Sequence, residues 1–161
     1  MSRVYYTWDN MRTDLGCIVR DMANDGWRPD IIVGVARGGH IPAVMLSHYY
    51  DVMYKSIKVQ FRDSKDSMTS ITAEMNDFPA SFNSKQKNVL VVDDINDSGK
   101  TFEYIEKTVG TSRLPDVMPV VKYAALVDNI TSPFSTDYSA TEINREDDPA
   151  WIVFPWEEWW G

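Results

Sequence analysis

Val89-Leu90-Val91-Val92-Asp93-Asp94-Ile95-Asn96-Asp97-Ser98-Gly99-Lys100-Thr101 is an apolar run that breaks into carboxylates and then into a hydroxyl-glycine-lysine-hydroxyl turn. Four consecutive aliphatic side chains read as a strand covered on both faces, the pattern of a parallel sheet, with the strand ending at Asp93 and Asp94. Phe102, Ile105 and Val109 then recur at helical spacing, so the unit is strand, turn, helix. Where a turn opens a helix, unpaired N–H groups and the helix dipole favour phosphate. Asp97, Ser98, Gly99, Lys100 and Thr101 therefore form a candidate anion cradle.

Upstream, the same arrangement recurs. Ile31 to Val35 is a second buried-strand run, and it leaves through Ala36-Arg37-Gly38-Gly39-His40, where two glycines let backbone N–H groups approach an anion and Arg37 adds a fork of donors. Pro42 fits the first position of the next helix. Trp8, Met11, Leu15, Ile18, Val19 and Met22 line one face of an earlier helix ending near Gly26, and Val52 to Phe61 alternates as a strand. Downstream, Val117 to Val127 and Trp151 to Phe154 complete five strand candidates. Strands alternating with helices predict one α/β domain over 1–161 with a mainly parallel sheet. Between Arg62 and Lys87 polar residues crowd out apolar ones, apart from Met68, Ile71, Met75 and Phe78 at helical spacing. An excursion of that length is expected to be a lid, a binding loop or a surface segment without a role.

The chain has 161 residues, 43% of them apolar, enough for one proper core. Its net charge of -8 disfavours non-specific nucleic-acid binding, so an anionic ligand must be held locally. Cys17 is the single cysteine, which excludes an internal disulfide and a multi-thiolate metal site and fits a reducing compartment. Met1 to Trp8 does not read as a signal peptide, and no apolar run approaches the roughly 20 residues of a membrane helix. The expectation is a cytoplasmic protein without a membrane partner.

Familiar phosphate motifs do not fit. Gly99-Lys100-Thr101 imitates the end of a Walker A loop, but Asp94 stands where its first glycine belongs. Gly34, Gly38 and Gly39 have the wrong spacing for a dinucleotide fingerprint, and two histidines, His40 and His48, do not make a zinc site. Asp93, Asp94 and Asp97 beside a phosphate cradle would repel it unless something offsets their charge. Either a divalent cation such as Mg²⁺ sits between them and a diphosphate, or they accept hydrogen bonds from sugar hydroxyls. Both readings point to a phosphorylated sugar. Taken singly, Asp93 and Asp94 as a strand end and Asp97 with Ser98 as a helix cap would be ordinary features.

Positions 89–101 resemble the phosphoribosyl diphosphate signature of the phosphoribosyltransferases. Positions 32–43 are similar to the diphosphate loop of that family, nearest to bacterial xanthine-guanine and hypoxanthine phosphoribosyltransferases. The ending Trp151-Ile152-Val153-Phe154-Pro155-Trp156-Glu157 resembles the base-binding hood of that subgroup. The resemblance implies a five-stranded parallel sheet with flanking helices, a lid over 62–87 and a hood over 128–161. It implies that Ser98, Gly99, Lys100 and Thr101 hold the 5′-phosphate and that Arg37, Gly38 and Gly39 hold the diphosphate, often through a non-proline cis peptide. By the same resemblance Asp93 and Asp94 meet the ribose hydroxyls and Mg²⁺, and Asp97 faces N7 of a purine as general acid or base. Trp151 and Ile152 would contact the base. Asn129 stands where related purine enzymes place a lysine against the exocyclic oxygen at purine C6, which leaves the identity of the base open.

The expected activity is Mg²⁺-dependent transfer of the 5-phosphoribosyl group from phosphoribosyl diphosphate to a purine-type base, in purine salvage, by a homodimer or homotetramer. Such a displacement builds positive charge on the sugar, so it asks for positioning, a cation on the leaving group and exclusion of water rather than a nucleophile. The rival is a non-catalytic regulatory protein that binds phosphoribosyl diphosphate or a nucleotide on the same fold. Trp156, Trp159 and Trp160 fit a subunit interface as well as a ligand site.

Overall fold

The computed structural model describes residues 1–59, 85, 87–111 and 119–161. The elements run β1 (Arg3–Tyr5), α1 (Trp8–Asn24), β2 (Ile31–Ala36), α2 (His40–Tyr50), β3 (Met53–Lys58), β4 (Asn88–Asn96), α3 (Lys100–Thr111), β5 (Val120–Asn129), β6 (Tyr138–Ile143) and β7 (Trp151–Val153). Five strands form one sheet in the order β3-β2-β4-β5-β6, every neighbouring pair parallel. The expected helical residues over 62–87 lie outside the described residues, Lys85 and Lys87 excepted.

Strand pleating sends alternate side chains to opposite faces. Ile32, Leu90, Val92 and Leu126 pack with α1 and α2 residues such as Ile18, Met22 and Leu46, all essentially without exposure. Ile31, Val33, Val89 and Val91 pack on the other face with Phe102 and Ile105 of α3. The central strands are thus covered twice, which is why they read as unbroken apolar runs. Gly34 lies where α2 crosses β2, and a Cβ there would come 2.9 Å from the Ala43 Cβ, so a larger residue would push the helix off the sheet. A capping box starts α1: the Asn10 N–H donates to Thr7 Oγ1 (3.0 Å) and the Thr7 N–H donates to Asn10 Oδ1 (2.9 Å).

Several expectations need correction. The fifth strand of the sheet is Tyr138–Ile143, an edge strand of mixed polarity, not Trp151 to Phe154. Instead Trp151–Val153 pairs in parallel with Arg3–Tyr5, in a register of Arg3 with Trp151 and Tyr5 with Val153. Segments near both ends of the chain therefore form a second, two-stranded sheet, and residues 128–161, expected as a hood, supply only one of its strands. β4 does not end at its two carboxylates but continues to Asn96, held by the Ile95 pairing with Val127 on β5. Pro42 occupies the third position of α2, not the first; its missing N–H is still harmless, because the first turn has no intrahelical acceptor.

Candidate active site

Leaving β2, the chain turns outward to β3 and returns across β2 to β4, so the strand order reverses between β2 and β4. A crevice opens beyond the C-terminal ends of strands at such a reversal, and ligands bind in it. Both candidate anion turns leave these two strands there. The first lies against β4. A Cβ on Gly38 would overlap the Asp94 carboxylate, and one on Gly39 would overlap the Val92 carbonyl and lie 2.6 Å from the Val35 carbonyl and 2.9 Å from Asp93 Cα. The glycines let the first turn lie flat on β4. The Ala36–Arg37 peptide bond is cis. His40 comes next as the first residue of α2, its Nδ1 sharing a 2.7 Å hydrogen bond with the Tyr54 hydroxyl, while His48 lies on the last turn of the helix.

The second turn has a different basis. Gly99 has a φ of 78°, a conformation that costs glycine nothing, and a Cβ there would stand 2.7 Å from Ser132 Oγ. Ser98 and Lys100 are exposed at the start of α3, beside a cavity of 90 Å³ lined by Asp93, Asp97, Ser98, Gly99 and Thr101 among others. The unpaired N–H groups of a 12-residue helix open there.

Asp93 and Asp94 are neighbours in sequence but serve opposite faces of β4. Asp93 looks toward the cavity at α3, and Asp94 toward Arg37, Gly38 and the hood. Burial, together with the charge of Asp94, holds the Asp93 carboxyl well above the ordinary range. Burial pushes the Asp94 carboxyl up to about 6, against the opposing effect of the Ile95 N–H that donates to it at 2.8 Å. Two partly buried carboxyls that form no ion pair among the described residues suit a cation brought in with a substrate, since Mg²⁺ commonly takes one or two carboxylates and completes its shell with phosphate and water. Among the described residues no group of three or more His, Cys, Asp or Glu side chains is placed to hold a metal ion.

Asp97 is half exposed at the mouth of a cavity of 200 Å³ that Trp151, Ile152, Phe154 and Arg145 also line. Trp151 is 52% exposed, its ring available for stacking. Arg145, in the charged stretch Asn144 to Asp148 that reads as an ordinary solvated loop, was not among the expected site residues. Its Nε donates to Asp97 Oδ1 at 3.0 Å and its Nη1 donates to the Ala150 carbonyl. No spacing rule could have found this contact, because 48 residues separate the pair.

Asn129, expected against the base, is buried and engaged by the protein. Its Nδ2 donates to the Asp97 carbonyl at 2.9 Å, and its Oδ1 accepts from Thr131 Oγ1 (2.8 Å) and from the Arg145 N–H (3.2 Å). It ties Asp97 to Arg145, and both lone pairs of the amide oxygen are thereby taken by the protein. Trp156 stacks on Phe154, with ring centres 4.9 Å apart, and with Trp160 it lines a larger cavity of 630 Å³ over Arg37, Gly38 and Asp94. Trp159 and Trp160 are mostly exposed.

Comparison with known proteins agrees with this geometry. The chain is 25% identical over 164 residues to a xanthine-guanine phosphoribosyltransferase of Cereibacter sphaeroides, covering 95% of this chain and 86% of that protein. It superposes on the purine phosphoribosyltransferase of Pyrococcus horikoshii with a TM-score of 0.76 and 34% identity, over 98% of this chain and 95% of the other. The xanthine-guanine-hypoxanthine phosphoribosyltransferase of Helicobacter pylori shares the fold, with a TM-score of 0.76 at 23% identity over 97% and 94% of the two chains. A family model for the phosphoribosyl transferase domain matches residues 5–160, both turns and the hood included. With the two turns opening at one sheet reversal and this match spanning nearly the whole length, the chain belongs to the phosphoribosyl transferase domain family.

Proposed function

We propose that the protein transfers the 5-phosphoribosyl group from phosphoribosyl diphosphate to a purine-type base with the help of Mg²⁺, releasing diphosphate and a nucleoside monophosphate. The observation that carries this reading is the seat of the first turn on β4: Gly38 lies against Asp94, so the turn after β2 and the start of α3 flank the neighbouring carboxyls Asp94 and Asp93 from opposite faces of one strand. A sugar with phosphate groups at two ends matches that layout.

In this reading Ser98, Gly99, Lys100 and Thr101 receive the 5′-phosphate at the helix start, while Arg37, Gly38 and Gly39 receive the diphosphate. Asp93 and Asp94 hold the ribose hydroxyls and Mg²⁺. When bound, the cation neutralises charge on the departing diphosphate. Trp151 stacks on the base, Ile152 borders it, and Asp97 takes the proton from N7 as N9 attacks the anomeric carbon. Asn129 acts at one remove, by fixing the backbones of Asp97 and Arg145. The names of the relatives support a purine; identity to the Pyrococcus enzyme is 34%.

Calorimetric titration with phosphoribosyl diphosphate and Mg²⁺, followed by spectrophotometric assay of base consumption over a panel of purines and pyrimidines, tests the reading. Binding with consumption of at least one purine is expected. Tight binding without consumption of any base would replace the transferase by a ligand-sensing protein, and no heat of binding would remove both.

A further inference from the structure

We propose that Arg145 selects the base, favouring purines with an oxo group at C6 over those with an amino group there. This rests on the reading of the 200 Å³ cavity beside Asp97 as the base site. Arg145 is the only cation lining that cavity among the described residues; the other charged groups there, Asp94, Asp97 and Glu157, are acids. Its side chain is 19% exposed, so its donors lie largely out of bulk water. Of the five guanidinium N–H groups, Nε donates to Asp97 and Nη1 to the Ala150 carbonyl, and among the described residues Nη2 donates to nothing.

A carboxylate clamped beside a guanidinium presents an acceptor next to donors. The five-membered-ring edge of a 6-oxopurine with its proton on N7 presents the converse, a donor at N7 next to an acceptor at O6. The two patterns match when Asp97 accepts from N7 and Arg145 donates to O6. A 6-aminopurine offers donors at both positions, so its amino group faces N–H groups and leaves them unpaired. Arginine is likewise a common donor to O6 of guanine, there together with an unprotonated N7. The match depends on holding the pair still, and the buried Asn129 amide does so by bonding to the Asp97 carbonyl and the Arg145 N–H together. Arg145 and Asp148 also both line the adjoining 230 Å³ cavity, and the ion pair of Arg145 is with Asp97.

The test compares kcat/KM for hypoxanthine and adenine, with Mg²⁺ and saturating phosphoribosyl diphosphate, in the wild type, Arg145→Gln and Arg145→Lys. The wild type should prefer hypoxanthine by about 10- to 100-fold, the discrimination one such contact supplies. Arg145→Gln should bring the ratio toward one, chiefly by raising KM for hypoxanthine, and Arg145→Lys should keep part of the preference because an ammonium still donates. If Arg145 only braces Asp97, both bases would lose activity equally and the ratio would stand, which overturns the assignment while leaving the transferase intact. Wild-type preference for adenine also overturns it. Absence of turnover with every base sinks the transferase reading and this assignment with it. Should Arg145→Gln fail to fold, unsubstituted purine given to the wild type reads the same contact: it lacks O6 and should fall behind hypoxanthine by a similar factor, whereas equal values would overturn the proposal.

Discussion

The turn after β2 and the turn after β4 face the same crevice, but their shapes have different causes. Gly38 and Gly39 are shaped by the surface beneath them, the Asp94 carboxyl and the carbonyls of Val35 and Val92, so the first turn exists only when β2 and β4 are already paired. Ser98 to Thr101 are shaped by their own neighbours in sequence: the start of α3 supplies the N–H groups, and one glycine at a φ of 78° makes the bend. A turn shaped at long range and a turn shaped locally thus open at one sheet reversal, with Asp93 and Asp94 between them on opposite faces of a single strand. Substrate binding should depend on both turns, while folding should depend mainly on the first.

The sharpest division concerns chemistry. Asp97 belongs to the second turn, and Asp97→Asn should keep phosphoribosyl diphosphate affinity by calorimetry while turnover falls about 10² to 10⁴-fold, the usual worth of general acid–base help. Loss of affinity equal to the loss of rate would instead make Asp97 part of the phosphate cradle. Next, Gly39→Ala places a methyl group against backbone atoms that cannot step aside, and urea denaturation should show a loss of about 3 kcal/mol or more, at the upper end for overpacking. A stable Gly39→Ala variant with normal binding would break the idea that β4 shapes the first turn.

Asp94 lies beneath the first turn, and its burial has a sign. Its folded-state carboxyl titrates at about 6, above the 3.8 of the free side chain, so the native chain holds the proton more tightly than the unfolded one. This group's contribution to stability is therefore intact at low pH and is lost as pH rises from about 4 through about 6, by at most about 3 kcal/mol. Without Mg²⁺, Asp94→Asn should flatten that fall in urea denaturation between pH 4 and pH 8 and weaken Mg²⁺-dependent substrate binding. An unchanged pH slope would show that Asp94 is not desolvated in solution. The smallest effect belongs to the local turn: Gly99→Ala must adopt a left-handed backbone and move the Ser132 hydroxyl, costing about 1 to 2 kcal/mol in thermal or urea unfolding. A larger loss at Gly99 than at Gly39 would reverse the comparison.

Legibility in the sequence divided along the same line. β2, β4 and α3 were plain because each is a local pattern: buried branched residues, or apolar side chains three and four apart. Tyr138–Ile143 was missed because an edge strand with one half-exposed face has no apolar run, and its identity rests on pairing with β5. Arg3–Tyr5 was missed because three exposed residues form a strand only against Trp151–Val153. Trp151, Asp97 and Asn129 were singled out from the sequence, but the bonds of the Asn129 amide to the Asp97 carbonyl and the Arg145 N–H have no local signature. Arg145 lay hidden in an acidic, loop-like stretch.

The residues alone determined that this chain carries two glycine-containing turns after buried strands, a carboxylate pair and an α/β succession, because turn chemistry and hydrophobic period act over a few neighbouring positions. Only the tertiary structure decided that Gly38 rests on Asp94, that Arg3–Tyr5 pairs with Trp151–Val153, and that Arg145 stands beside Asp97. Those contacts span from 48 to about 150 positions along the chain, and they form where packing of the sheet and its helices closes the distance.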